Sequence, residues 1–508
     1  MLVGGRMEDD RWMIGLEYLI QAGFITDGAD ERDDGSLGTV LVAQLGLQLV
    51  GAVLVNVKDE QTAGLVAHDL AAQLTADGAA AARDQNHLVM QVFRVHFAQE
   101  EEGQLMVDVT DRVNNRPIDG ASVSISYVGD PQDTLEQLTT DSNGMTEEID
   151  LAAPPRSYSE YPLSDVQPYS EYNLIITAPG YEPTTISGSE IFSGELSIQP
   201  VRLNPVLPNA SASVINIPAN TLWGVFPPKI PEDEIKPVRS SGEIVLSRVV
   251  IPEYVVVHDG VPSDSSATDY YVRYADYIKN VASSEIYSTW PEATLRANIT
   301  AIMSFTLNRV YTEWYRNKGY DFTITTSTAY DHKWVYGRNI FDSISRIVDE
   351  IFASYVSRPN VKQPILTQYC DGKRVSCPNA MSQWGSKALG DDGYSDIEIL
   401  RYYYGSSAYI NTAEEISGIP ASYPGYELTI GSSGEKVRQL QEQLNTIANT
   451  YTSIPKVAVD GIYGEATQEA VRQFQKIFNL PQTGVVDYPT WYRISAIYVA
   501  LTKIAELQ

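Results

Sequence analysis

Glu285 lies in the stretch YADYIKNVASSEIYSTWPEATLRANITA, residues 274–301, where its immediate neighbours are small, apolar or aromatic. A carboxyl group packed among apolar side chains has its charged form disfavoured. It then holds a proton to higher pH than a solvated one and can pass it to a substrate. Val281, Ala282, Ile286, Tyr287 and Trp290 are the neighbours that would form such a pocket. The plainer alternative is a solvated glutamate on a helix face. Glu292 follows Pro291 at a predicted helix start, where a carboxylate interacts favourably with the helix dipole, so structure accounts for it. Asp331 is the candidate second carboxylate. If it faces Glu285 across a scissile bond, two-carboxylate hydrolysis follows; without it, a lone glutamate acts as acid and base in turn.

Other reactive side chains are few. Cys370 and Cys377, in YCDGKRVSC, are spaced for a hairpin-like loop, and a disulfide, a metal pair and two free thiols all stay open. Zinc usually takes four ligands, and the nearest histidine, His332, is distant in sequence; the five histidines show no HExxH or other metal spacing. No metal and no cofactor is expected. The chain carries 36 basic against 65 acidic residues, a net charge of -29. So acidic a chain is a poor partner for nucleic acid or an anionic membrane, and a neutral or cationic polymer suits it better. No run of about 18 apolar residues suggests a membrane span. The opening MLVGGRMEDDRW lacks the basic region and apolar core of a signal peptide.

The elements that must position these residues fall into blocks. With 508 residues, 43% hydrophobic and 20% charged, the chain reads as two to four globular domains. Residues 1–95 hold none of the 27 prolines and one of the 32 tyrosines, Tyr18. They are either a separate domain or a stretch read from upstream of the true start, and no function is assigned to them. Residues 103–202 alternate apolar and polar positions, with turns at Ser142-Asn143-Gly144 and at a Pro-Gly pair, and predict a β-sandwich-like pre-region. Residues 203–250 are proline-rich and read as an exposed linker, the kind of segment proteases cut. Residues 251–412 predict an α+β domain. It holds a helix with Tyr274, Ile278, Val281 and Ala282 on one face, an amphipathic helix from Glu292 to Gly319, a strand-like stretch over 320–337 and a further helix. Residues 425–495 predict a helical unit with Val437, Leu440 and Leu444, then Ala470, Val471 and Phe474, at helical spacing.

That last unit resembles the bacterial peptidoglycan-binding domain, a three-helix module. The matching residues include Gly431, Gly434, Gln441, Asp460-Gly461, Tyr463-Gly464, Thr467, Gln475, Gly484 and Trp491. The central domain resembles the SpoIID/LytB family in two ordered places: DYIKNVASSEIYSTWPEATLRANITA and NAMSQWGSKALGDDGYSDIEILRYYYG. From about residue 100 onward the arrangement resembles the clostridial spore cortex-lytic enzymes. The resemblance implies peptidoglycan glycan strands as substrate, a place in the spore cortex or cell wall outside the membrane, and a zymogen activated by a protease during germination. It implies Glu285 as the acid and base of a lytic transglycosylase, in which the 6-hydroxyl of muramic acid attacks C1 and leaves a 1,6-anhydro end. It makes Tyr287, Trp290, Tyr330, Trp384 and Tyr403 candidates for stacking on sugars, and Ser382 and Gln383 candidates for an N-acetyl group. Some relatives hold a zinc with Cys and His, which this spacing does not reproduce. The LytB branch keeps open a non-catalytic wall-binding protein or amidase enhancer.

Overall fold

Alternating apolar residues predict strands with one buried face, and the strands form. β1 (Glu101–Asp111) buries Leu105, Val107 and Val109, and β2 (Ser122–Tyr127) buries Val123 and Ile125. The computed structural model describes residues 101–502, apart from 163–165, 207–211, 237–247, 378–379, 414 and 418–422, so the segment 1–95 lies outside the described residues. β3 (Asp130–Thr139), β4 (Ile149–Ala153), β5 (Ser170–Thr177), β6 (Thr184–Ile191), β7 (Leu196–Leu203) and β8 (Ser213–Asn216) complete the module. One sheet runs β7-β1-β4 and the other β3-β2-β5-β6-β8, with a core of Leu105, Val123, Leu174, Ile186 and Val201 between them. The expected Asn143-Gly144 turn is present. Gly144 has φ 79°, and a Cβ there would meet Val109 O at 2.5 Å, so only glycine fits.

The central domain starts with β9 (Val250–Ile251), β10 (Tyr254–His258) and β11 (Asp269–Arg273), which lead into α1 (Tyr274–Glu285) and α2 (Glu292–Tyr311). It continues through β12 (Ile324–Thr325), β13 (Ile340–Phe341), α3 (Asp342–Ile351), β14 (Ser354–Ser357), β15 (Tyr369–Cys370) and β16 (Met381–Ser382). α4 (Gln383–Asp391), α5 (Asp396–Tyr404), β17 (Tyr409–Thr412) and β18 (Glu415–Ile416) close it. α1 buries Tyr274, Ile278, Val281 and Ala282, as their spacing predicts.

Two expectations change here. α2 stops at Tyr311 rather than Gly319, because Glu313 takes a left-handed φ of 46° and a short 3-10 turn, Arg316–Lys318, then ends on Gly319. It is buried on every side rather than amphipathic, since β14, α4 and α5 pack around it and make it the domain's central post. The strand expected over 320–337 shrinks to β12; much of the remainder is loop, organised around the buried Asp331.

β13 pairs antiparallel with β7, Ile340 opposite Ile198, so the central domain adds an edge strand to the sandwich. Parts of the described proline-rich segment are packed into the domain, while others, such as Val225, are exposed. Asn220, Thr221, Leu222 and Lys236 are buried, and Glu232 and Glu234 take bidentate pairs from Arg309 and Arg358. The C-terminal unit has three helices, α6 (Glu435–Ala448), α7 (Glu465–Ile477) and α8 (Tyr488–Thr502). Its α8 packs on the central domain, with Phe352 5.6 Å from the Tyr488 ring and 5.1 Å from Tyr492. Among the described residues, no helix is long and apolar enough to cross a membrane.

Candidate active site

Glu285 is the last residue of α1 and is 4% exposed. Its partners come from other parts of the chain. Oε1 accepts from the Lys333 backbone N–H at 2.8 Å. Oε2 lies 3.2 Å from the Thr221 hydroxyl and 3.5 Å from Gln383 Nε2. Burial first, then the charge of Glu285, holds the Tyr369 phenol well above its usual range. A cavity of about 560 Å³ is lined by Thr221, Tyr369 and Gln383, so the group surrounding Glu285 faces an open space of ligand size. The lining also includes Asp371 and Arg374 of the loop closed by a Cys370–Cys377 disulfide, whose Cα atoms are 5.8 Å apart.

Lys229 is one of two cations in the lining, with Arg374. Its ammonium donates to Asp331 O and to Thr328 O and sits 4.6 Å over the Tyr369 ring. Burial lowers its pKa, while Glu285 and Asp331 pull it back up. His332 packs between Phe305 and Tyr369, with ring centroids at 4.5 Å and 5.7 Å, and burial beside two cations keeps it neutral. Among the described residues, no group of three or more His, Cys, Asp and Glu side chains is placed to hold a metal ion.

Asp331 is committed elsewhere. It is fully buried; Oδ1 takes Arg309 Nε at 2.8 Å, and Oδ2 takes the Tyr315 hydroxyl at 2.6 Å, Thr325 N at 2.9 Å and Thr325 Oγ1 at 2.7 Å. Fully buried and taken up by Arg309, Tyr315 and Thr325, this carboxylate serves the interior of the fold. Burial favours the neutral form of Glu232, yet the guanidinium of Arg309 and the Lys236 ammonium hold its pKa down at about 2, so Arg309 sits between two carboxylates.

The aromatic candidates divide. Tyr287, Trp290 and Trp384 are buried and pack on one another, with Trp290 and Trp384 centroids 4.9 Å apart and Phe192 of the sandwich 5.3 Å from Tyr287. The Trp290 indole N–H donates to Ser159 O at 2.9 Å. These rings weld the sandwich to the central domain and have no face left for a sugar. Tyr330 and Tyr403 are half-buried. Ser382 caps α4, accepting from Gly385 N at 2.9 Å, which explains the Ser-Gln-Trp-Gly run structurally. Gln383 alone of the polar candidates reaches Glu285, through the carbonyl at 3.0 Å as well as the carboxylate. Thr221, Lys229, Lys333 and Tyr369 were not singled out by sequence. The signal for the first two was available: Leu222, Trp223 and Phe226 are too apolar for an exposed tether.

Residues 433–494 match the family described as "Putative peptidoglycan binding domain". The C-terminal unit is thus a peptidoglycan-binding domain, and the chain is a cell-wall-related protein. Comparison with curated proteins finds no match. Among solved structures, the chain is similar to the N-terminal domain of SleB at 30% identity over 15% of this chain and 99% of that one, with a TM-score of 0.14. It is similar to the minor pilin GBS52 of Streptococcus agalactiae at 17% identity over 22% of this chain and 49% of the pilin, TM-score 0.15. It is also similar to the 5-hydroxyisourate hydrolase of Klebsiella pneumoniae at 20% identity over 20% of this chain and 92% of that one, TM-score 0.14.

Proposed function

Starting from a chain anchored by a peptidoglycan-binding domain, we propose that it cleaves peptidoglycan glycan strands of the spore cortex as a lytic transglycosylase, with Glu285 as the acid and base. The observation that carries this reading is the carboxylate of Glu285, oriented by Lys333 N and Thr221 beside a cavity that its own partners line. Protonated, it gives its proton to the leaving glycosidic oxygen. Ionised, it takes the proton from the 6-hydroxyl that closes on C1, so the proton count returns to its start and no water is consumed. Asp331 is bound to Arg309 and supplies no second carboxylate, which favours transglycosylation over two-carboxylate hydrolysis. Activation by a protease during germination belongs to the same reading.

The test is digestion of purified spore cortex by the full chain, before and after limited proteolysis, wild type against Glu285→Gln, with fragments read by mass spectrometry. Wild type is expected to release 1,6-anhydro ends, and Glu285→Gln to lose roughly 10²–10⁴-fold in rate. Equal rates in the two proteins would remove Glu285 from the mechanism. Reducing ends would make the enzyme a hydrolase. Binding without release by either would leave a wall-binding protein or amidase enhancer.

A further inference from the structure

We infer that Thr221, delivered by the proline-rich segment that crosses the central domain, is a positioning residue for Glu285, and that the catalytic unit therefore begins with that segment rather than at Val250; the inference rests on the function proposed above. The last carbonyls of any helix lack partners within the helix. At the end of α1 these are supplied from the crossing segment. Asn220 Nδ2 donates to Ser283 O at 3.2 Å, and Thr221 N donates to Ser284 O at 2.9 Å. The Thr221 hydroxyl then stands 3.1 Å from Ser284 O, 3.2 Å from Glu285 O and 3.2 Å from Glu285 Oε2. It has one proton and three acceptors, all belonging to the helix end that presents Glu285.

The segment is fixed on both sides of this contact: before it, Ile217 N donates to Ser187 O at 2.8 Å and Arg338 holds the Pro218 carbonyl, and the remaining anchors come after it. Arg374 holds the carbonyls of Trp223 and Gly224, and Ile230 N donates to Ala329 O at 2.7 Å. Glu232 and Glu234 follow with their arginine pairs. Between these anchors, Gly224 to Lys229 form one wall of the cavity. A part that caps the helix, touches the carboxylate and walls the cavity belongs to the site, and it is pinned too firmly to serve as a tether.

The experiment uses the full chain, assayed before and after limited proteolysis, and soluble glycan fragments prepared from peptidoglycan, comparing Thr221→Val, Thr221→Ser and Glu285→Gln. Thr221→Val keeps the shape and removes the proton. The expected result is a kcat lowered about tenfold or more with KM nearly unchanged, an unaltered thermal midpoint, and recovery to near wild type in Thr221→Ser. Wild-type kcat in Thr221→Val with Glu285→Gln inactive would overturn the role of Thr221 and leave the proposed function standing. A raised kcat in Thr221→Val would also overturn it, making the segment a cover instead. Wild-type activity in Glu285→Gln would overturn both. If Thr221→Val does not fold, Thr221→Ala is read by the same outcomes.

Discussion

Replacing Asp331 by asparagine tests whether this carboxylate works in the fold or in the reaction. The substitution removes one of the two negative partners of a fully buried Arg309, at 2.8 Å, and leaves Glu232 in place at 2.6 Å. Breaking a buried ion pair costs about 3–5 kcal/mol, because the remaining charge stays in a poorly solvating interior. The surviving Glu232 pair moves the figure toward the lower end. Against that, the amide NH₂ must face Arg309 or the Tyr315 and Thr325 donors, which leaves one or more buried donors unmatched at about 1–3 kcal/mol. A net cost of about 4 kcal/mol follows. Unfolding entropy near 2 cal/mol/K per residue, over the unit of about 400 residues, converts this to a drop in thermal midpoint of about 5 °C. Differential scanning calorimetry measures the drop, and glycan cleavage assayed well below the midpoint gives the activity of the folded protein. The expected pair of results is a lowered midpoint with a rate within about threefold of wild type. An unchanged midpoint with lost cleavage would refute the reasoning and bring two-carboxylate hydrolysis back.

Two further predictions concern the weld between the domains and the loop beside the cavity. Burial pushes the Glu190 carboxyl up to about 7 against the pull of Arg338 at 2.8 Å. The folded protein therefore binds more protons than the unfolded chain between about pH 4.5 and 7, and its stability falls as pH rises through that window, by roughly 3 kcal/mol from this group. Denaturant midpoints at pH 5 and 7.5 should show the fall, and Glu190→Gln should flatten it; an equal slope in the variant counts against the assignment. Replacing both Cys370 and Cys377 with serine frees a seven-residue separation, worth about 2–3 kcal/mol in the chain-entropy account. Trypsin should then cut at Lys373 or Arg374 faster than in the oxidised protein, and unchanged digestion would show that hydrogen bonding to Asp371 alone holds the loop.

What sequence could disclose followed the range of the interactions involved. Periodicity is local, and it identified α1, α6 and α7, whose predicted inward residues Ile278, Leu440 and Phe474 are buried. It could not identify α2 as a helix buried all round, since such a helix has no polar stripe to mark its faces. The carboxylate of Glu285 was legible as a candidate through its neighbours in sequence, but its donors are not those neighbours. Lys333, Thr221 and Gln383 lie 48, 64 and 98 residues away, and no pattern within a helix or strand encodes them. The segment around Thr221 was misread because proline signals the absence of helix and strand. It does not signal exposure, and an irregular chain whose carbonyls are taken by Arg338 and Arg374 can pack as firmly as a strand.

The ring contacts of Phe352 with Tyr488 and Tyr492 join the peptidoglycan-binding helices to the central domain without a free hinge at that seam. A module on a long flexible leash raises local concentration but leaves every bond within reach equally available. A module mounted on the body works as a gauge. Under the proposed function, wherever it seats on the polymer, the Glu285 carboxylate stands at one offset and one heading from that seat. The spacing of cuts along a strand would then be dictated by the protein's own dimensions, and loosening the seam would blur that spacing without slowing the chemistry at any single bond.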